Sequence, residues 1–140
     1  MRLTPDKSLC KSRQKIIVSR DKGTPREHRA ENPKMYYVRH YQLDGGLISQ
    51  QKCCDFLLVN DSLKKAYLIE LKGSNIGDAI PQLEAGLKLF QSELAQYIFY
   101  FRIVQSKART QAIQDTAFRK FKDKYGSRLQ YKTNMLKETL

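Results

Sequence analysis

Two apolar segments joined by a short polar turn decide the fold: Cys53-Cys54-Asp55-Phe56-Leu57-Leu58-Val59-Asn60 and Lys65-Ala66-Tyr67-Leu68-Ile69-Glu70-Leu71-Lys72-Gly73. Apolar residues occupy successive positions in both segments, so each predicted strand is apolar on both faces. Strands of that kind are typical of the centre of a sheet that is covered on both sides. The turn Asp61-Ser62-Leu63-Lys64 joins them into a predicted antiparallel hairpin.

The sequence on either side extends this hairpin into a larger sheet. Residues 35–43, rich in Tyr and Val, predict a preceding strand that ends in a tight turn or a bulge at 44–46. After the hairpin, apolar residues recur at spacings of three, four and three from residue 80 to residue 90, which predicts a helix. Residues 96–105 predict a buried fourth strand. A three-strand meander, a helical crossover and a fourth strand indicate an α/β fold with a mixed sheet flanked by helices.

The outer parts of the chain carry weaker signals. Ile16-Ile17-Val18 predicts a short strand, and Thr24-Pro25-Arg26-Glu27 resembles a capping box that starts a helix ending at Asn32-Pro33. Residues 110–125 predict a second long helix, residues 128–133 a short edge strand, and the last residues a frayed end. Residues 1–14 predict a flexible basic arm. No linker or repeat divides the chain, so we expect residues 1–140 to form one domain.

The charge of the chain points to a polyanionic partner. Its 140 residues include 26 Lys and Arg against 14 Asp and Glu, a net charge of +12. Residues 1–52 carry +7, residues 53–105 carry −1 and residues 106–140 carry +6. The positive excess therefore lies in the two flanks, and it favours binding to nucleic acid phosphates over a merely solvated surface.

Other protein classes fit the composition poorly. No apolar run approaches the roughly 18 residues of a membrane span, and the first residues lack the apolar stretch of a signal peptide. The three cysteines, Cys10, Cys53 and Cys54, form no Cys-x-x-Cys pattern and stand at no metal-ligand spacing to either histidine. We therefore expect reduced thiols in a cytoplasmic protein with no membrane partner.

The segment Glu70-Leu71-Lys72 is the part of the sequence that carries chemistry. Glu70 is the only acidic residue with a Lys two positions later, and on a strand residues 70 and 72 face the same side. Pairing of the hairpin brings Asp55 to the same end of the sheet. Two close carboxylates suit a hard divalent cation such as Mg²⁺, and a neighbouring ammonium can orient a water molecule and stabilise a phosphate. The alternative is a simple ion pair between Glu70 and Lys72.

This pattern resembles the PD-(D/E)XK nuclease superfamily, whose restriction-endonuclease-like fold includes the Holliday junction resolvases. The resemblance covers residues 36–105 and includes the order of the elements as well as the motif. It implies Asp55 and Glu70 as metal ligands, Lys72 as the catalytic lysine and Gln82, on the following helix, as a further active-site residue. Glu27 is a weaker match to an acid that some members contribute from their first helix. Asp44 either belongs to the turn or adds another acid.

The resemblance implies a Mg²⁺-dependent DNA endonuclease, with Mn²⁺ able to substitute and with a substrate selected by its shape. RNA remains open as a partner, and a two-fold homodimer is compatible with cutting both strands. One alternative is a module of the same fold that binds nucleic acid without cleaving it. Another is a basic protein that meets an acidic protein partner. The basic residues expected to contact phosphates lie in the two flanks. They are Arg13, Lys15, Arg20, Lys22, Arg119, Lys120, Lys122 and Lys124.

Overall fold

The computed structural model describes residues 1–72, 76–106 and 115–140. This part of the chain holds eight strands and two α-helices. In chain order they are β1 (Ile16–Arg20), β2 (Glu27–Glu31), β3 (Val38–Gln42), β4 (Phe56–Asn60), β5 (Lys65–Lys72), α1 (Ala79–Phe90), β6 (Ile98–Gln105), α2 (Thr116–Tyr125), β7 (Leu129–Thr133) and β8 (Met135–Thr139).

A five-stranded sheet forms the centre of the molecule, with the strand order β3-β4-β5-β6-β7. Strands β3, β4 and β5 pair antiparallel as a meander, and β6 pairs parallel to β5 after the α1 crossover. β7 then adds a second parallel pair, on the far side of β6. The predicted α/β class, the meander and the crossover to a fourth strand are confirmed. Every residue of β4 is buried, as expected for a strand covered on both faces.

A second sheet of three strands replaces one of the predicted helices. β1 pairs antiparallel with β2, and β2 pairs parallel with β8, the last strand of the chain. The helix predicted from Thr24 to Asn32 is wrong, because residues 27–31 form β2. The Thr24 hydroxyl accepts a hydrogen bond of 3.4 Å from the Arg26 N–H and closes a local turn. Pairing with two strands supplies the backbone hydrogen bonds that a short helix would otherwise have made.

The end of the chain is ordered by the same sheet. The sequence predicts a frayed end, but Met135–Thr139 form β8, and Leu136 is buried between the two sheets. β8 makes parallel contacts with a strand about one hundred residues earlier, between Glu27 and Met135 at one end and Glu31 and Thr139 at the other. A pairing at that sequence separation leaves no local signal in the sequence.

The first residues also lie against the central sheet, although the sequence predicts a flexible arm there. Leu3 is 1% exposed, and its carbonyl accepts a hydrogen bond from the Arg39 guanidinium. The backbone N–H of Leu9 donates to the His40 carbonyl, and that of Val38 donates to the Ser12 carbonyl. This segment therefore covers the free edge of β3, which would otherwise expose unpaired backbone groups.

Two apolar cores lie on opposite faces of the five-stranded sheet. The first contains residues of both helices, such as Leu83 and Phe118, together with Leu68 of β5. The second contains Ile17 and Leu136 of the small sheet, together with Ile69 of β5. Both helices therefore cover one face of the central sheet, and the three-stranded sheet covers the other. In the described ranges, no helix is both long enough and apolar enough to cross a membrane.

The second helix lies within the range that the sequence predicts. α2 runs from Thr116 to Tyr125, and Asp115 caps it by accepting a hydrogen bond of 3.0 Å from the Phe118 N–H. The first part of the predicted helix, up to residue 114, lies outside the described residues. Gly126 ends the helix with a positive φ of 57°, which glycine adopts without the steric cost that a Cβ atom would bring.

Candidate active site

The structure brings Asp55 and Glu70 together at one end of the β4–β5 hairpin. The register pairs Phe56 with Ile69, so Asp55 and Glu70 follow at the same end of the two strands. The Asp55 N–H donates to the Ile69 carbonyl at 3.1 Å, and the Leu71 N–H donates to Oδ2 of Asp55 at 2.8 Å. These bonds on either side of residue 70 hold the Asp55 carboxylate beside Glu70.

The alternation of β5 directs the motif residues to different faces. Leu68 belongs to the core beneath the helices, whereas Ile69 and Leu71 belong to the core between the two sheets. Glu70 and Lys72 therefore project from the helix-covered face. Glu70 is only 5% exposed, whereas Lys72 is half-buried at the end of the strand. Buried Leu71 lies between them and anchors the strand, so the two functional side chains lie on a rigid element.

The electrostatics of Glu70 are unusual for a carboxyl group. Burial first, and then the nearby Asp55 charge, raise the pKa of Glu70 to about 9. The Lys72 ammonium acts in the opposite direction. Burial also raises the pKa of Asp55, against the hydrogen bond from the Leu71 N–H, which lowers it. Two carboxyl groups this close cannot both ionise without compensating positive charge. The pair is therefore a strong potential binder of a cation and otherwise retains a proton.

A divalent cation fits these groups. Oε1 of Glu70 is buried and has no hydrogen-bond partner among the described residues, so one acceptor of the site is unused. Within residues 1–72, 76–106 and 115–140, no group of three or more His, Cys, Asp or Glu side chains is placed to hold a metal ion. Mg²⁺ commonly takes one or two carboxylates and completes its shell with water. Asp55 and Glu70 are therefore the residues that would hold it.

Gln82 lies on the turn of α1 that faces this part of β5. A Cβ atom added to Gly86 would lie 2.8 Å from Sγ of Cys54 and 3.2 Å from Cδ2 of Leu68, so Gly86 contacts the sheet closely. α1 follows β5 and returns to start the parallel strand β6, so the two run in opposite directions. One turn before Gly86, the half-buried Gln82 is therefore near the level of Glu70, two residues beyond Leu68.

Two further acids approach the site from turns. The Asp44 N–H donates to the Cys54 carbonyl at 3.2 Å, and the Asp44 charge raises the pKa of both Asp55 and Glu70. Asp44 thus belongs to a turn, and its negative charge also adds to the electrostatic potential at Asp55 and Glu70. The charge of Asp21, in the turn between β1 and β2, raises the pKa of Asp55 as well.

The turn between β1 and β2 forms part of the surroundings of Lys72, which sequence reasoning missed. Arg26 pairs with Asp21 at 3.2 Å and donates a hydrogen bond of 2.7 Å to the Ser106 hydroxyl. Ser106 in turn donates its N–H to the Lys72 carbonyl. No sequence pattern predicts the contact between Arg26 and Ser106. Residues 24–32 carry a helix-start signal, and the two residues are 80 positions apart in the sequence.

Glu27 and the two histidines do not belong to the site. Glu27 is 1% exposed and is held by Arg20 at 2.7 Å and Arg29 at 3.0 Å, so its carboxylate is already neutralised. His28 Nε2 contacts the Glu138 carboxylate at 2.6 Å, and His40 Nε2 contacts the Ser19 hydroxyl at 2.8 Å. Both histidines are buried, polar and hydrogen-bonded within the layer between the two sheets.

The predicted phosphate-binding residues are all exposed but do not form one surface. Lys22 lies in the turn that reaches Ser106, at the same end of the sheet as Lys72. Tyr125, the last residue of α2, contacts Phe101, four residues or about 13 Å along β6 from Gln105. Lys122 and Lys124 therefore lie toward the opposite end. The remaining residues of the set lie in the segment before β1 (Arg13 and Lys15), at the end of β1 (Arg20) or in α2 (Arg119 and Lys120).

Comparisons with protein-family models, with curated proteins and with solved structures find no match.

The three cysteines are free thiols, as the sequence predicts, and Cys53 and Cys54 are buried directly before Asp55. Two carboxyl groups, an ammonium and an amide are therefore the functional groups assembled at this end of the sheet, and their geometry alone defines the candidate site.

Proposed function

We propose that the chain is a metal-dependent endonuclease that hydrolyses phosphodiester bonds in DNA, with a fold of the restriction-endonuclease-like kind. The observation that carries the proposal is the contact between the Asp55 and Glu70 carboxyl groups, with Oε1 of Glu70 buried and unpartnered and Lys72 on the same face. Burying two carboxyl groups together costs free energy, so their retention side by side favours a role in binding a cation. The resemblance to PD-(D/E)XK nucleases rests on the same three residues.

The arrangement of elements supports the same proposal. Asp55 directly precedes β4, and Glu70 and Lys72 lie on β5, within a meander that is followed by a crossover helix and a parallel strand, which is the order that the resemblance implies. The chain differs in its first element, where β2 stands in place of a helix and Glu27 is neutralised by two arginines. The acidic groups near the site therefore come from Asp44 and Asp21, in turns.

Each side chain has a definable part in hydrolysis. Asp55 and Glu70 are the residues that would hold the cation. When bound, a divalent cation supplies positive charge to the phosphoryl oxygen and lowers the pKa of a water molecule. The Lys72 ammonium lies beyond Glu70 on the same face, where it would stabilise charge on the phosphate and orient the attacking water. Gln82, near the level of Glu70, adds a hydrogen-bonding amide from α1. The exposed basic residues supply the attraction to phosphate that is independent of sequence.

The test is cleavage of supercoiled plasmid and of a four-way DNA junction by the purified chain, in Mg²⁺, in Mn²⁺ and in a chelator. We expect nicking that depends on the metal. Glu70→Gln and Lys72→Met should each reduce the rate by about 100-fold or more, because each removes a group that acts on the reacting atoms. Glu84→Gln and Lys88→Met make the same changes of charge at exposed positions of α1 and should leave the rate unchanged.

Full activity in both site variants would overturn the proposal, as would a wild-type chain that leaves every substrate intact. In the second case, salt-sensitive retention of DNA or RNA without nicking would identify the binding module instead. Absence of retention at physiological salt would favour an acidic protein partner. Circular dichroism of each variant separates loss of chemistry from loss of fold.

A further inference from the structure

Gln105 is a buried polar residue at the end of β6, beside the candidate site. It is 3% exposed and lies opposite Lys72 in the parallel register of β5 and β6. Phe101 and Ile103 of the same strand belong to the core beneath the helices. By alternation, the Gln105 side chain projects from the same face as Glu70 and Lys72. Gln105 is not part of the Glu-x-Lys motif, because it lies more than thirty residues after Lys72 in the sequence.

The carboxamide of Gln105 has an unused acceptor. Its Oε1 is buried without a hydrogen-bond partner among the described residues, as is Oε1 of Glu70. A buried acceptor left unpaired costs about 1–3 kcal/mol, and such groups in native proteins call for a partner of some kind. Lys72 lies directly opposite Gln105 in the register and two residues beyond Glu70, on the same face, and its ammonium makes no hydrogen bond within the described ranges. A donor of three hydrogen bonds is therefore carried by the residue that neighbours both unpaired acceptors on this face.

The strand order indicates whether Gln105 lies nearer to a cation at Asp55 and Glu70 or to the Lys72 ammonium. β4 and β6 lie on opposite sides of β5, and neighbouring strands are about 4.8 Å apart. Asp55 before β4 and Gln105 at the end of β6 are therefore separated by the full width of β5. A cation held between Asp55 and Glu70 is displaced toward β4, away from Gln105. Lys72 is the direct neighbour of Gln105 across the register.

We propose that Gln105 is a positioning residue whose Oε1 accepts a hydrogen bond from the Lys72 ammonium and aims it at the scissile phosphate. This inference rests on the proposed nuclease function. The long Lys72 side chain carries considerable rotamer entropy, and a fixed acceptor beside its ammonium reduces the number of positions it samples. A hydrogen bond from Lys72 would also satisfy the buried oxygen, so one contact orders the catalytic group and removes an unpaired acceptor.

Gln105→Met tests the inference, since methionine has nearly the same size and shape but lacks the acceptor. We expect kcat to fall by about 10- to 100-fold with KM nearly unchanged, as for misplacement of a group that acts in the transition state. The melting temperature should change little, because methionine fills the same volume and the ammonium of half-buried Lys72 can bond to water instead. Mn²⁺ affinity, measured by calorimetry, should not change. Gln105→Glu keeps an oxygen acceptor and should recover most of kcat.

Gln130→Met, at an exposed position of β7, is the matched control and should change neither kcat nor the melting temperature. If Gln105→Met cleaves like the wild type, the inference is overturned while the nuclease function stands. A fall in kcat together with an equal loss of stability and of metal affinity would show a merely structural role and would also overturn it. A wild-type chain without metal-dependent cleavage removes the proposed function and this inference with it.

Discussion

The backbone N–H of Leu71 donates a hydrogen bond of 2.8 Å to Oδ2 of Asp55 and so fixes the position of that carboxylate near the end of β5. The Leu71 side chain meanwhile lies in the core between the two sheets, and the residues on either side, Glu70 and Lys72, project from the opposite face. Three consecutive residues thus provide an anchor, a carboxyl group and an ammonium, while the backbone positions the second carboxylate. The site is compact because these three residues are consecutive on one strand and the Leu71 N–H binds Asp55 directly.

The stability of the metal-free protein should depend on pH through Glu70. Its pKa of about 9 lies above the usual value of 4.5, so the folded protein holds a proton that the unfolded chain releases. The stabilisation from this proton is complete below pH 4.5 and is lost as pH rises toward 9. The free energy of unfolding should fall by up to about 1.4 kcal/mol per pH unit in that window.

Urea titrations between about pH 7 and about pH 9, in a chelator, measure this slope. Buried His40, whose pKa is lowered to about 4, does not titrate in that range. Glu70→Gln should flatten the slope, whereas Glu84→Gln, exposed on α1, should leave it as in the wild type. An identical slope in the wild type and in Glu70→Gln would contradict the prediction.

Divalent metal should stabilise the fold through the same two carboxyl groups. A cation that binds only the folded state adds about 2.7 kcal/mol at a concentration 100-fold above its Kd. We therefore expect the melting temperature to rise with Mn²⁺ at neutral pH and to lose this dependence in Asp55→Asn. Asp123→Asn, an equivalent change at an exposed position of α2, should keep the full response. Equal responses in the two variants would place the metal elsewhere.

The close contact of α1 with the sheet predicts a specific cost for Gly86→Ala. The new methyl group would lie 2.8 Å from Sγ of Cys54, so the helix must move away from β5. Overpacking of this kind costs about 1–3 kcal/mol, and displacement of Gln82 should lower cleavage as well. Removing the sulfur with Cys54→Ala in the same chain should recover part of the loss, a coupling measured by a double-mutant cycle. Additive losses would show that the two residues do not meet.

A buried ionic network between the two sheets should matter for stability but not for cleavage. Glu138 accepts hydrogen bonds from Arg102 at 2.7 and 2.9 Å and contacts His28 at 2.6 Å. Glu138→Gln leaves the buried Arg102 charge uncompensated, and such losses cost about 3–5 kcal/mol. Glu31→Gln breaks an exposed ion pair with Lys137 and should cost less than about 1 kcal/mol.

The pH dependence of this network has the opposite sign to that of Glu70. Against the cost of burial, its hydrogen bonds to His28 and Arg102 lower the pKa of Glu138 to about 2. Its stabilisation is therefore complete above pH 4.5 and is lost as pH falls toward 2. Acid titrations of Glu138→Gln should lack this loss, while metal-dependent cleavage at neutral pH remains. Loss of cleavage in a folded Glu138→Gln chain would connect the network to the site.

Much of the central sheet and of the candidate site was predictable from local sequence. Apolar runs such as 56–60 and 98–105 are long enough to identify buried strands, and the spacing of Ile80, Leu83 and Phe90 identifies the helix between them. A hairpin with a short turn also fixes which residues lie opposite each other. The neighbourhood of Asp55 and Glu70 therefore followed from counting along the two strands.

The three-stranded sheet was not predictable in the same way. Residues 27–31, with the sequence Glu-His-Arg-Ala-Glu, have no alternation of apolar residues and follow a helix-start signal. Their polar side chains are buried only because partners arrive from elsewhere: Arg20 from β1 for Glu27, and Glu138 from β8 for His28. Pairing over such separations outweighs local propensity, which differs by only about 1 kcal/mol per residue.

The sequence by itself determined the central α/β sheet and the placement of Glu70 and Lys72 on one face, because strand periodicity and a short turn are local properties. Only the tertiary structure decided what surrounds them. It brought Gln105 into register with Lys72, buried Glu70 beside Asp55 and carried the turn at Asp21 and Arg26 to Ser106. Each of these contacts joins distant parts of the chain, and their energies depend on burial and on neighbouring charges that exist only after folding.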